Sequence, residues 1–175
     1  GTPSQLAKED FEAIFSHIYK VYKVTPNAEI TLEANPDDLT SEYISMLRTF
    51  PFNRISMGIQ TFQETTLKQL QRRHTADQAI RAFQGCRTAG FQNISIDLMY
   101  GLPGETLTSW KKDLKQALSL HPEHISAYHL IYEEGTPLWK LREQHKVEEA
   151  DEDLSVSLFG TLIDELTTAG YEHYE

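Results

Sequence analysis

The 175 residues carry 16 basic and 26 acidic side chains, a formal net charge of −10, and 39% of them are hydrophobic. The length suits one globular domain with a sizeable core, and the acidic balance argues against nucleic acid, which needs a basic face. No apolar run reaches membrane-spanning length and no signal peptide is visible. A lone cysteine, Cys86, excludes an internal disulfide and a cysteine-held zinc or iron–sulfur site, in keeping with a reducing cytoplasm.

Phe11, Ile14, Phe15, Ile18 and Tyr22 recur at helical spacing and predict a helix over roughly 7–22. Residues 28–34 (AEITLEA) read as a strand closed by Asn35-Pro36. Thr40 can cap a helix of about ten residues running through Leu47. Residues 54–59 (RISMGI) form the next strand, followed by a short helix near 64–70 and a longer one over 75–88. In the latter Ala79, Phe83 and Cys86 face inward, and Gly90 is the stop. Residues 93–99 form a third strand. Gly101-Leu102-Pro103-Gly104 breaks it, and a helix marked by Trp110, Leu114, Ala117 and Leu118 follows. Residues 124–130 read as a fourth strand and 136–145 as a broken helical stretch. The helix over 152–169 places Leu154, Leu158, Phe159, Leu162, Ile163 and Leu166 on one face, and Gly170 ends it; 171–175 begins one more strand.

Strands alternating with helices imply right-handed crossovers and an α/β fold with parallel strands. The strand interiors read as apolar and the strand ends as polar, so the sheet is expected to be covered on one or both faces. Four or five such units are too few to close an eight-stranded barrel. The abrupt ends, Gly1-Thr2-Pro3 and Tyr171–Glu175, suggest a piece of a longer chain.

The carboxyl ends of parallel strands open onto one crevice. Glu33, Gln60 and Asp97 stand at three of those ends and are expected to share it. Two carboxylates and an amide suit a ligand bearing hydroxyls and an ammonium group, such as a ribose or an amino acid, and Arg72 or Arg73 adds a cation for a carboxylate partner. Each of these residues alone has an ordinary explanation as a capping acid, a turn amide or a solvated arginine. The Gly101–Gly104 loop before a helix offers a second reading, a generic phosphate cradle, although it lacks a P-loop lysine and a GxGxxG register.

The segments LEANP (32–36), SMGIQTF (56–62), LQRRH (70–74), AGFQNISIDLMYGLPGET (89–106) and HISAYHLIYEEGTPL (124–138), in this order and spacing, resemble the radical S-adenosylmethionine enzymes related to oxygen-independent coproporphyrinogen III oxidase. Within that group the chain is most similar to the haem chaperone branch, and Gly1-Thr2-Pro3-Ser4 resembles the tail of the family's GGGTP loop. The resemblance spans essentially the whole chain. It implies a partial (β/α)6, TIM-like barrel of which residues 1–175 form a core-domain fragment, strands three to six with their flanking helices. It also implies S-adenosylmethionine at the strand ends. Gly1 and Thr2 would contact the methionine portion through backbone groups, and Glu33 would face its ammonium or a neighbouring group. Gln60 and Asp97 would hold ribose hydroxyls, Arg72 would pair with the carboxylate, and Ile131 would sit against the adenine.

The chain departs from the family in lacking the CxxxCxxC loop whose thiolates hold the [4Fe–4S] cluster, so the expectation is a polypeptide inactive by itself, with no catalytic residue and no metal ligand of its own. Ser126-Ala127-Tyr128 with Glu134-Gly135-Thr136 favours a haem chaperone serving respiratory enzymes over a coproporphyrinogen III oxidase, the alternative. Haem is thus a further expected ligand, and a cytoplasmic location and an open sheet edge at the Glu33 strand, inviting dimerisation, complete the expectations. The histidines His121, His124 and His129 match no metal-ligand spacing. Tyr128 and His129 could approach haem but read as packing and edge residues, Trp110 and Trp139 as packing, Cys86 as inert core. The acidic run Glu148-Glu149-Asp151-Glu152-Asp153 complements the dipole of a helix start.

Overall fold

The computed structural model describes residues 2–174. Helix α1 (Lys8–Val21) precedes β1 (Thr31–Ala34), α2 (Ser41–Leu47), β2 (Arg54–Gln60), α3 (Glu64–Gln69), α4 (Ala76–Thr88) and β3 (Asn93–Tyr100). Then come α5 (Leu107–Ser119), β4 (His124–His129), α6 (Pro137–Glu143) and α7 (Glu152–Thr168). The four strands form one parallel sheet in the order β1-β2-β3-β4. The α/β architecture with parallel strands is the one the alternating elements predict.

Helix starts follow the sequence closely. The hydroxyls of Thr40, Thr75, Thr106 and Thr136 and the carboxylate of Asp151 each accept a backbone N–H from the first turn of the helix they precede, satisfying donors that have no partner within the helix. Gly90 and Gly170, both at positive φ, follow the C-termini of α4 and α7.

Three boundaries differ from the sequence reading. The first strand begins at Thr31 rather than at residue 28, because the Asn53 side chain replaces the ladder there: its Oδ1 accepts the Ile30 N–H at 2.7 Å and its Nδ2 donates to the Ala28 carbonyl at 2.8 Å. Helix α2 has seven residues, not ten; Pro51 lies just beyond, and the residue before a proline is turned away from helical backbone. Residues 171–174 form no strand. Instead the Tyr171 hydroxyl donates to the Pro122 carbonyl and the Tyr174 hydroxyl meets His124 Nε2, both at 2.5 Å. Glu175 lies outside the described residues.

The sheet is two-sided in a way the reading of apolar interiors and polar ends missed. Leu32 and Ala34, Ile55, Met57 and Ile59, and Ile94, Ile96 and Leu98 are buried on one face with Phe83, Cys86, Trp110, Leu114 and Leu158 from the helices. Trp110 is fully buried and donates Nε1 to the Leu158 carbonyl at 3.1 Å, which ties α5 to α7. Phe11, Phe15, Phe50 and Phe52 form an aromatic cluster at the α1 end of this core. Phe159, predicted inward, is 42% exposed and stacks near the Tyr100 ring at the rim. The alternate strand positions face the other way and are mostly polar, the exceptions being Gly58 and Met99, which packs on a second apolar cluster with Leu102, Leu130 and Tyr132.

Ile96 sits at 0% exposure in a central strand, whereas Ser126 occupies the polar face. Ile96→Ala should therefore lower the unfolding free energy by about 2–5 kcal/mol, and Ser126→Ala by no more than about 0.5 kcal/mol. Urea denaturation checks both, and equal losses would contradict the division of the faces.

Candidate functional site

The parallel register builds the polar face row by row. Glu33 lies beside Ser56, Ser56 beside Ser95, Gly58 beside Asp97, and Asp97 beside Ser126. Because side chains alternate along each strand, these residues share one surface with Asn35, His124 and Tyr128, and Gln60, past a shift in the ladder, lies beside Gly58 on the same side. Asp97 is half-buried and burial raises its pKa. The Ser56 hydroxyl, which donates to Oδ1 at 3.4 Å, and the Tyr128 hydroxyl partly offset the rise, while Glu33 adds to it. Tyr128 is itself pushed up to about 12, by burial and then by the charge of Asp97. His124 is held between Ser95, which is fully buried, and Tyr174.

At its carboxyl end β2 leaves regular geometry. The ladder to β3 shifts between Gly58 and Gln60, and Gln60 has φ +70°, a left-handed conformation that side chains beyond glycine rarely adopt. The Gln60 Oε1 atom is buried without a hydrogen-bond partner among the described residues. Gly58 has a reason to be glycine: a Cβ there would lie 3.1 Å from Gln60 Nε2 and 3.4 Å from Arg72 Nη2. Into that space Arg72 reaches, donating to the Gly58 carbonyl and to Asn35 Oδ1, both at 2.9 Å.

The structure distinguishes the two arginines. Arg73 is 55% exposed and pairs with Asp37 and Asp38, each at 3.0 Å. Arg72 is half-buried, makes no salt bridge among the described residues, and has its pKa lowered by burial, against a raising influence of Asp37 and a further lowering by Arg73. Its guanidinium thus has hydrogen-bond partners but no carboxylate partner among the described residues, and a guanidinium fork matches the geometry of a carboxylate. Asn35 extends the site, because its Nδ2 donates to the Thr2 hydroxyl at 3.5 Å and its backbone N–H to Ser4 Oγ at 3.2 Å. Thr2, Asn35, Arg72 and the Gly58 carbonyl are thereby one hydrogen-bonded group, with the Gln60 amide beside Gly58.

The Gly101–Gly104 loop does not behave as a phosphate cradle. The Glu105 carboxylate accepts the Gly101 N–H at 2.7 Å and the Leu102 N–H at 3.4 Å. Two of the three loop N–H groups are thereby engaged by a carboxylate of the chain itself, which counts against that reading. Gly101 has φ +72°, and a Cβ there would fall 2.5 Å from His129 Nε2. His129 is engaged elsewhere, with Leu130 O at 2.8 Å and Ser155 Oγ at 3.0 Å, and so packs rather than facing the crevice.

Of the residues expected at the site, Glu33 and Asp97 lie on the polar face, Asn35 joins Thr2 to Arg72, Arg72 and the Gln60 amide meet around Gly58, and Gly1 lies outside the described residues. Ile131 follows the end of β4 and is 79% exposed. Sequence reasoning missed Asn35, which a closing Asn-Pro disguised as a turn, and Tyr128, which counting alternate positions back from the strand end would have placed on the face of Asp97. Cys86 is fully buried and its thiol is pushed up to about 12 by burial, as an inert core thiol should be.

The Radical SAM superfamily model matches residues 1–117. The Heme chaperone HemW of Lactococcus lactis subsp. lactis (strain IL1403) is 37% identical over 175 residues, which is 100% of this chain and 46% of that protein. Heme chaperone HemW of Bacillus subtilis (strain 168) is 34% identical over 176 residues, again 100% of this chain and 46% of the relative. Among solved structures, coproporphyrinogen III oxidase (HemN) from Escherichia coli, described as a radical SAM enzyme, superposes with a TM-score of 0.84 at 26% identity, over 98% of this chain and 39% of that one. The chain spans about half the length of the relatives it matches, 46% in both proteins.

Burial pushes the Glu105 carboxyl from 4.5 up to about 7, even against the two loop N–H groups that favour its charge. A carboxyl raised on folding binds its proton more tightly in the folded chain. Its stabilising contribution is present in full below about pH 4.5 and is lost as the pH rises through about 7. Between those limits the unmodified chain should lose about 1–3 kcal/mol of unfolding free energy relative to Glu105→Gln. Denaturation curves at pH 4.5, 6 and 8 check this, and parallel pH profiles for the two proteins would contradict it.

Proposed function

The chain belongs to the radical SAM superfamily, and from that premise we propose that its polar sheet face binds S-adenosylmethionine. In this reading Arg72 pairs with the ligand carboxylate, Glu33 faces the ammonium, and Gln60 and Asp97 take the ribose hydroxyls. Gly1 and Thr2 approach the methionine portion through backbone groups, and Ile131 covers the adenine. The observation that carries it is the Arg72 guanidinium, half-buried beside an orphaned Gln60 Oε1 and free of any carboxylate among the described residues. The donor set fits: one fixed cation, carboxylates at Glu33 and Asp97, and an acceptor amide oxygen.

The family pairs this cosubstrate with a [4Fe–4S] cluster, which supplies one-electron radical chemistry when both are bound. The residues present do not fit the cluster. It needs several thiolates, and the chain has one cysteine, buried in α4. What this chain's own residues contribute is binding and orientation, and no catalytic residue is assigned to it.

For the whole protein we propose a haem chaperone that delivers haem to respiratory enzymes from the cytoplasm, with 1–175 as the central part of its radical SAM core, strands three to six of a partial barrel. The 37% and 34% identities to proteins named as haem chaperones support this reading over the alternative. The alternative, oxidation of coproporphyrinogen III, is supported by the match to the Escherichia coli oxidase at 26% identity. The outer edge of β1, unpaired among the described residues, is where a second copy would add. No helix among the described residues is long and apolar enough to cross a membrane.

Isothermal titration with S-adenosylmethionine should show saturable binding, weakened about tenfold or more by Arg72→Ala and by Asp97→Ala, the loss of one charge-assisted contact each. Equal affinity in all three proteins would contradict the site. Haem titration of the complete protein, followed through the Soret band, should saturate; an unsaturable, linear response would sink the chaperone reading.

A further inference from the structure

Two buried ionisable side chains have no part in the site described, and both converge beneath the strained Gln60. His74 is 3% exposed and Asp113 is fully buried. His74 Nε2 lies 3.1 Å from the Ile59 carbonyl, and its Nδ1 is buried with no partner among the described residues. A carbonyl only accepts, so Nε2 carries the proton and Nδ1 is bare. The same Ile59 carbonyl accepts the Thr61 N–H at 3.0 Å.

Asp113, from α5, holds the next residues. Its carboxylate accepts the Thr61 hydroxyl at 2.5 Å, the Phe62 N–H at 3.2 Å and Gln63 Nε2 at 2.8 Å, while the Gln63 N–H donates to Thr61 Oγ1 at 3.0 Å. On the other side, the loop that carries His74 also carries Arg72, which grips the Gly58 carbonyl. One loop thus binds two consecutive carbonyls of β2, at Gly58 and Ile59, and α5 binds the chain directly after them. Gln60 is the residue in between. Left-handed backbone at a glutamine costs energy and persists only where its surroundings over-determine it. These contacts do so.

We propose that His74 and Asp113 are positioning residues that lock the Gln60 bulge, so that the glutamine amide is presented to the ligand in one fixed orientation. The ligand part of this statement rests on the S-adenosylmethionine reading; the lock itself does not. His74 acts through the Ile59 carbonyl, and Asp113 through Thr61, Phe62 and Gln63.

Amide hydrogen exchange and ligand titration on His74→Leu, His74→Gln and Gln60→Ala test it. With the donor gone, His74→Leu should raise exchange at Thr61 and Gln63 by about tenfold or more while Ile55 and Met57 in the same strand keep their protection. His74→Gln, which retains an N–H donor, should stay within about threefold of the unmodified protein. S-adenosylmethionine affinity should fall about tenfold in His74→Leu and by less than about twofold more when that change is added to Gln60→Ala, because both act on one contact. Unchanged exchange at Thr61 and Gln63, a uniform rise over the whole sheet, or fully additive affinity losses would overturn the lock. A local exchange response with no change in affinity in either His74→Leu or Gln60→Ala supports the lock and removes Gln60 from the ligand site. Should His74→Leu fail to fold, the imidazole 15N spectrum of the unmodified protein decides: the neutral Nε2–H tautomer supports the lock, and the Nδ1–H tautomer overturns it.

Discussion

Each strand of a parallel sheet turns alternate side chains to opposite sides, and in this chain α4, α5 and α7 cover the side where those side chains are apolar. Burial of Ile55, Met57, Ile94, Ile96 and Leu98 against α4, α5 and α7 fixes the strand register, since a shift of one residue would drive the core outward. With that register set, Glu33, Ser56, Gly58, Asp97, Ser126 and Tyr128 have no choice of face. The polar surface is the complement of the core, and the hydrophobic energy that folds the sheet also aligns its polar groups.

At its carboxyl end β2 departs from regular geometry beside Arg72. The ladder shift and the left-handed φ at Gln60 accompany the placement of its amide beside Arg72 and Gly58. The loop after β3 has the opposite character. There the Glu105 carboxylate fills its own ring of amides, so the Gly-Leu-Pro-Gly segment is closed to anions and serves as a shaped rim. Asp97, one turn of the chain away, stays available because its neighbours are hydroxyls rather than cations.

Much of this was legible in the sequence because it is encoded locally. Threonine caps, glycine stops and helical periodicity gave the elements in order, and strand-end polarity singled out Glu33, Gln60 and Asp97. What escaped depends on side chains acting across the fold. Asn53 shortens β1 by standing in for its ladder, and Arg72 differs from Arg73 only because Asp37 and Asp38 claim the second arginine. Asn35 and Asp113 are polar residues whose partners lie more than thirty residues away, at Arg72 and at Thr61, and no local pattern announces them. Residue type left Arg72 and Arg73 open and the family resemblance favoured Arg72; the structure separates them, since Arg73 is paired with Asp37 and Asp38 while Arg72 makes no salt bridge among the described residues.

The central claim is that the polar face at the carboxyl ends of the strands receives S-adenosylmethionine. Backbone amide shifts of the 15N-labelled chain, recorded as the ligand is added, test it most directly. The account predicts saturable shifts at Asn35, Gln60, Arg72, Asp97 and Ile131, with the helix-covered face unchanged. Shifts confined to the groove of about 560 Å³ between β4 and α7, lined by Ile125, Ala127, Phe159 and Ile163, or no shifts at all, would contradict it.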